Sequence, residues 1–105
     1  MPDDKRGFLY ILRCTDNSLY TGITTDPKRR ITEHRNKNQK CAKYMRGHTL
    51  LCVEALFSFN DMRTAASVEY KIKQLKKSDK ERLLSGDFYP DFLVDAVREK
   101  TDGIL

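Results

Sequence analysis

Residues 19–34 read LYTGITTDPKRRITEH, and this stretch decides what kind of fold the chain builds. SLYTGIT (18–24) alternates apolar and small polar residues, the period-2 pattern of a half-buried strand. Asp26 then precedes Pro27: an N-cap, followed by proline at the first helical position, where its missing N–H costs nothing. A helix to about Arg35 follows. Strand, cap and basic helix thus bring a tyrosine, a glycine and Lys28-Arg29-Arg30 close together. Such a grouping is either an ordinary exposed strand-turn-helix or a place to hold a phosphate.

Upstream, FLYILRC (8–14) is almost continuously apolar and rich in β formers, which predicts a buried strand. Thr15-Asp16-Asn17-Ser18 is turn chemistry, so residues 8–24 form a β-hairpin. Downstream, residues 36–49 are basic, poor in apolar side chains and marked by glycine, the composition of a long loop. LLCVEALFSF (50–59) gives a third strand, and Asn60-Asp61 caps a second helix running to about Lys76. Ser78 with Glu81 three residues later reads as a capping box for a short helix over 79–84, ended by Gly86. DFLVDAVRE, after Pro90, adds an amphipathic turn or two. The order β-β-α-β-α-α predicts an α+β domain with a three-stranded, mostly antiparallel sheet flanked by helices.

The length of 105 residues is that of one domain, with a core over residues 7–77 and an extension over 78–105 that finishes the core or makes a dimer contact. No apolar run reaches the ~20 residues of a membrane helix, and MPDDKRG has no apolar leader, so the cytoplasm is the expected location. Cys14, Cys41 and Cys52 are odd in number, far apart and form no C-x-x-C pair. They read as small core residues or bystanders, not a disulfide framework or a zinc site. The net charge of +5 is concentrated: residues 28–46 carry +7, and the segments on either side carry −1 each. A basic excess in one window is the footprint of a polyanionic partner, nucleic acid before membrane.

Several side chains in this frame can do chemistry. Arg30 and His34 are spaced i, i+4 and share a helix face, with Arg30 in the first turns, where the helix dipole also favours an anion. A guanidinium contacts two phosphate oxygens at once. Tyr10 and Tyr20 stand on the two strands of the hairpin, as core residues or as cleft hydroxyls that bind phosphate or move a proton. Gly22 weakens its strand, which implies a bulge or a close backbone approach. In the second long helix Met62, Ala65, Val68, Ile72 and Leu75 form one apolar side, and Glu69 falls at the margin of that arc. An acid there either reaches the solvent edge or faces a partner such as a metal ion. Lys43, Tyr44 and Arg46 make a basic-aromatic cluster suited to backbone contacts and base stacking.

Tyr10, the triplet Y-T-G at 20–22, an arginine eight residues after that glycine, a histidine four later and a glutamate midway along the next long helix together resemble the GIY-YIG nuclease superfamily. AKYMRG (42–47) and EYKIKQLKK (69–77) are most similar to its small standalone bacterial subfamily, itself similar to the nuclease domain of Slx-type structure-specific endonucleases. No zinc-binding domain follows here, which differs from the Slx-type proteins. The resemblance implies a magnesium- or manganese-dependent endonuclease hydrolysing phosphodiester bonds in DNA, structure-directed or non-specific, in repair or recombination. By position, Tyr10 and Tyr20 match the motif tyrosines, one of which helps activate the attacking water. Gly22 matches the glycine that lets the backbone fit the site. Arg30 matches the arginine that stabilises the phosphate in flight, and His34 an accessory histidine. Glu69 matches the one protein carboxylate that holds the metal. Lys28, Arg29, Arg35, Lys43, Tyr44 and Arg46 then read as nucleic-acid contacts.

The first triplet departs from the pattern: it is Phe8-Leu9-Tyr10, with Gly7 one position too early. Thr21 replaces the common isoleucine, and Cys41 precedes AKY where glycine is frequent. None of these removes a chemical group. RNA in place of DNA, a non-catalytic binding module, and a subunit that needs a protein partner or a homodimer stay open at this level.

Overall fold

The computed structural model describes residues 6–37 and 42–101. β1 (Gly7–Cys14) and β2 (Leu19–Thr24) form the expected antiparallel hairpin, with Tyr10 opposite Gly22 and Leu12 opposite Tyr20. The turn is closed by Cys14 N–H to the Ser18 carbonyl at 2.9 Å and uses Asn17 in the left-handed region at φ 72°. α1 (Pro27–Asn36) begins as predicted: the Asp26 carboxylate accepts from the Arg29 N–H. A one-turn helix α2 (Lys43–Arg46) interrupts the expected loop and buries Met45. Lys40 and Cys41 lie outside the described residues.

β3 (Leu50–Phe59) occupies its predicted range and pairs antiparallel with β1. The register slips between Ile11 and Leu12, so Glu54 has no partner across from it. That bulge lets Val53 and Ala55 serve opposite faces of the sheet and turns Glu54 toward Arg13, 2.8 Å away. α3 (Met62–Lys73) is capped by Asp61 and ends three residues earlier than the apolar pattern implied. α4 (Lys77–Ser85) differs from expectation in its start: Ser78 is already inside the helix, which has no side-chain cap. Glu81 instead takes the Arg13 guanidinium in a two-pronged pair at 2.5 and 2.7 Å, and that pair holds its carboxyl down to about 2. A charge-assisted fork outcompetes a neutral cap for the same carboxylate.

The sheet also has a strand more than the sequence implied. After a 3₁₀ turn (Asp91–Leu93) the chain forms β4 (Val97–Glu99) against β3, giving the order β2-β1-β3-β4, antiparallel throughout. A three-residue strand is too short to show a period; it exists because the β3 edge offers unpaired backbone groups. Each face of the sheet carries a core. Leu9, Ile11, Ala55, Phe57 and Phe59 pack with Ala65, Val68 and Ile72 of α3, Leu83 of α4 and Leu93. Tyr10, Leu12, Cys14, Val53 and Leu56 pack with Ile31 of α1 and Met45 of α2. β1 is therefore buried on both sides, which explains its unbroken apolar run. Among the described residues no helix is long and apolar enough to cross a membrane.

Candidate active site

Tyr10 and His34 are both about 1% exposed, and the phenol oxygen lies 2.8 Å from His34 Nε2. The other ring nitrogen, Nδ1, accepts the backbone N–H of Ala42 at 3.3 Å. A backbone N–H can only donate, so the neutral imidazole carries its proton on Nε2 and gives it to Tyr10. Burial, then the Arg30 cation, lower the His34 pKa to about 4, so it is uncharged at neutral pH. Burial, with Tyr20 and Glu69 nearby, pushes the Tyr10 phenol above its usual value, while Arg30, hydrogen-bonded to it, pulls in the other direction. The upward push wins. Tyr10 is a neutral phenol whose oxygen is held by two donor side chains.

Arg30 reaches this point because Glu33 fixes it from behind. The Glu33 carboxylate, 7% exposed, accepts Arg30 at 2.8 Å and Arg29 at 3.2 Å, three and four residues back along α1. The sequence reading gave Glu33 no role of its own. Its spacing from Arg29 and Arg30 was the available signal. Gly22 contributes by having no side chain: a Cβ there would collide with the Tyr10 hydroxyl and lie 2.6 Å from its Cζ. The close approach predicted for this glycine is made by a side chain across the strand pair, with no bulge between β1 and β2.

Tyr20 brings the rings together. Its centroid lies 6.2 Å from that of Tyr10, 5.6 Å from His34 and 5.4 Å from Tyr44, on which it stacks. Tyr44 in turn stacks on His48 at 4.1 Å. The α3 face adds Glu69, whose carboxylate is 21% exposed and pairs with Lys73 at 3.1 Å; that ammonium stands 5.9 Å from the Tyr20 ring. Lys73 was not foreseen, although E-Y-K-I-K is an i, i+4 acid-base pair. The sequence-predicted set therefore converges: Tyr10, Tyr20, Gly22, Arg30 and His34 form one cluster, and Glu69 borders it from the opposite face of the sheet. Of the expected nucleic-acid contacts, Lys28, Arg29, Arg35, Lys43, Tyr44 and Arg46 are exposed.

A family model described as the GIY-YIG catalytic domain matches residues 6–82. The chain belongs to the GIY-YIG family. Among curated proteins, this GIY-YIG chain is 48% identical over 80 residues to a UPF0213 protein of an Enterobacter species, covering 76% of each. It is 41% identical over 99 residues to a UPF0213 protein of Yersinia enterocolitica, covering 94% of this chain and 98% of the relative. Among solved structures, the solution NMR structure of a UPF0213 protein from Bacillus halodurans is 39% identical, with a TM-score of 0.49 over 81% of this chain and 88% of that one. The GIY-YIG domain is a nuclease domain, and nucleases of this family generally use a divalent metal.

Proposed function

We propose that the protein is a divalent-metal-dependent endonuclease that hydrolyses phosphodiester bonds in DNA, directed by DNA structure or acting without sequence preference. The observation that carries this is Arg30: a cation anchored on one side by Glu33 and hydrogen-bonded on the other to a buried tyrosine. Preorganised charge of this kind stabilises a phosphate passing through its transition state without having to reorient. Tyr10 and Tyr20 offer hydroxyls to position the attacking water. His34 and Arg30 both donate to the Tyr10 oxygen, so negative charge that develops there as a proton leaves is stabilised.

The donor set around Glu69 fits a hard ion. Mg²⁺ or Mn²⁺ accepts one carboxylate plus phosphate oxygens and waters, and a single partly exposed glutamate provides that, once Lys73 releases it. A bound ion would supply Lewis-acid polarisation of the phosphate. Lys28, Arg29, Arg35, Lys43 and Arg46, together with the edge of Tyr44, extend the cluster as a basic margin for the DNA backbone. The test is nicking of supercoiled plasmid and cutting of synthetic branched DNA with Mg²⁺ or Mn²⁺, wild type beside Glu69→Ala. Cleavage by the wild type alone is expected. Equal cleavage by Glu69→Ala would refute the metal assignment, and salt-sensitive binding without cleavage by either would make the protein a binding module.

A further inference from the structure

On the far side of the aromatic stack, a second group of side chains has the composition of a metal site. Cys14 at the end of β1, Asp16 in the hairpin turn and His48 after α2 place one thiol sulfur, one carboxylate oxygen and one imidazole nitrogen within 4.8 Å of one another. We infer that Cys14 Sγ, Asp16 Oδ2 and His48 Nδ1 form a site for a zinc-class ion, separate from Glu69.

The three are brought together by a backbone tie and oriented by neighbouring side chains. The hairpin turn is tied to the segment after α2 by the Thr15 N–H to the Thr49 carbonyl at 2.9 Å, so the two sources of ligands are fixed together. Asp16 is oriented by Ser18, whose hydroxyl and N–H both donate to Oδ1 at 2.6 and 3.1 Å. That leaves Oδ2 for His48 Nδ1, already 3.0 Å away. The His48 ring plane is set by its stack on Tyr44. Carboxylates and imidazoles held by neighbours in this way make better ligands than free ones. Cys14 is buried, and its sulfur has the Met45 thioether at 3.9 Å as a neighbour, a soft apolar wall behind the site.

Distances fit. With Zn–S at ~2.3 Å and Zn–N or Zn–O at ~2.0–2.2 Å, tetrahedral ligand atoms sit roughly 3.3–3.6 Å apart. Closing from the present spread takes a shift on the order of 1 Å, which exposed Asp16 and half-buried His48 can make. A mixed thiolate, imidazole and carboxylate set selects zinc over magnesium or calcium, which take oxygen ligands. On binding, the Cys14 S–H bond breaks, its proton leaves to solvent and the thiolate donates to the metal; the proton between His48 Nδ1 and Asp16 Oδ2 also leaves, the neutral imidazole keeping its N–H on Nε2, and a water fills the fourth position. The ion would lock His48, and through the Tyr44–Tyr20 stack would brace the ring that faces Tyr10 and His34.

Cobalt(II) titration of the reduced protein tests this, because a thiolate ligand gives a charge-transfer band that oxygen and nitrogen ligands do not. The wild type is expected to develop that band with one equivalent of cobalt and to lose it when zinc is added. Glu69→Ala and Cys52→Ser are expected to behave like wild type. Cys14→Ser should lose the band, and His48→Ala, altered at a half-exposed position, should bind zinc about a hundredfold more weakly or worse. Zinc should raise the melting temperature of the wild type and leave that of His48→Ala unmoved. No band in the wild type, a band surviving in Cys14→Ser, or equal zinc affinity in His48→Ala would each overturn the site.

Discussion

Gly22→Ala places one methyl group against the Tyr10 ring, a buried side chain whose oxygen is already held. Its Cβ would stand 2.6 Å from Tyr10 Cζ and 3.0 Å from Cε1, and closer still to the hydroxyl. Carbon atoms want about 3.5–4.0 Å, so the ring must move by about 1 Å. The ring cannot simply move, because it is buried on β1 with its oxygen held by His34 at 2.8 Å and by Arg30. Overpacking of this kind costs ~1–3 kcal/mol, and loosening a buried hydrogen bond costs a further ~1–3 kcal/mol. Alanine returns ~0.4–1 kcal/mol by restricting the unfolded chain. The expected net loss is about 1–5 kcal/mol, centred near 3, read as a shift in the urea midpoint with the slope unchanged. A double-mutant cycle makes this specific. In a Tyr10→Phe background the nearest colliding atom is gone, so Gly22→Ala should cost at least ~1 kcal/mol less. A stable Gly22→Ala protein, or costs that simply add, would refute the contact as the reason for glycine here.

His34 sets a pH window. Its folded pKa, about 4, lies below the ordinary value of 6.5, so the unfolded chain takes up the proton first. Its contribution is fully present above pH 6.5 and is lost as pH falls toward 4, about 3 kcal/mol in all. His34→Gln should flatten that slope in unfolding curves measured from pH 7 to 4, and an unchanged slope would place the titration elsewhere. Arg30→Ala should lower the cleavage rate ~10²–10³-fold, and Arg30→Lys less, since charge survives but the fork does not. Glu33→Gln should cost ~10-fold or more in rate with DNA binding little changed, because it misplaces Arg30 without removing it. Lys28→Ala and Lys43→Ala should each reduce the slope of log K against log salt by about 1, and a slope unaffected by both would remove them from the DNA interface.

Much of this architecture was legible in the chain. Caps at Asp26 and Asp61, the left-handed stop at Gly86 and the boundaries of the three long strands are local signals, and local physics realised them. The chemical cluster was legible too, because Arg30 and His34 are one helical turn apart and Tyr10 and Tyr20 share a hairpin. Illegible were contacts between distant segments. Glu81 abandons its cap for Arg13, 68 residues away, and β4 exists only because β3 has an edge. Cys14 and His48 show no spacing that local motif reading could use. Glu33, by contrast, was readable from its position and was passed over.

The shortness of β4 has a consequence for the whole sheet. Beneath its three residues runs the hydrophobic half of β3, where Leu56, Phe57 and Ser58 pair with Glu99, Arg98 and Val97. The cover is pinned by polar groups: Glu99 accepts from the Ser58 hydroxyl at 2.5 Å and from Arg6, and the Arg98 guanidinium lies over the Phe57 ring. β4 is thus a stopper on an otherwise adhesive edge. A chain ending after Pro90 would keep every group of the cluster around Tyr10 and expose a strand ready to pair with its like. Such a fragment should self-associate as concentration rises, so solubility in this protein is guarded at the end of the sheet farthest from its chemistry.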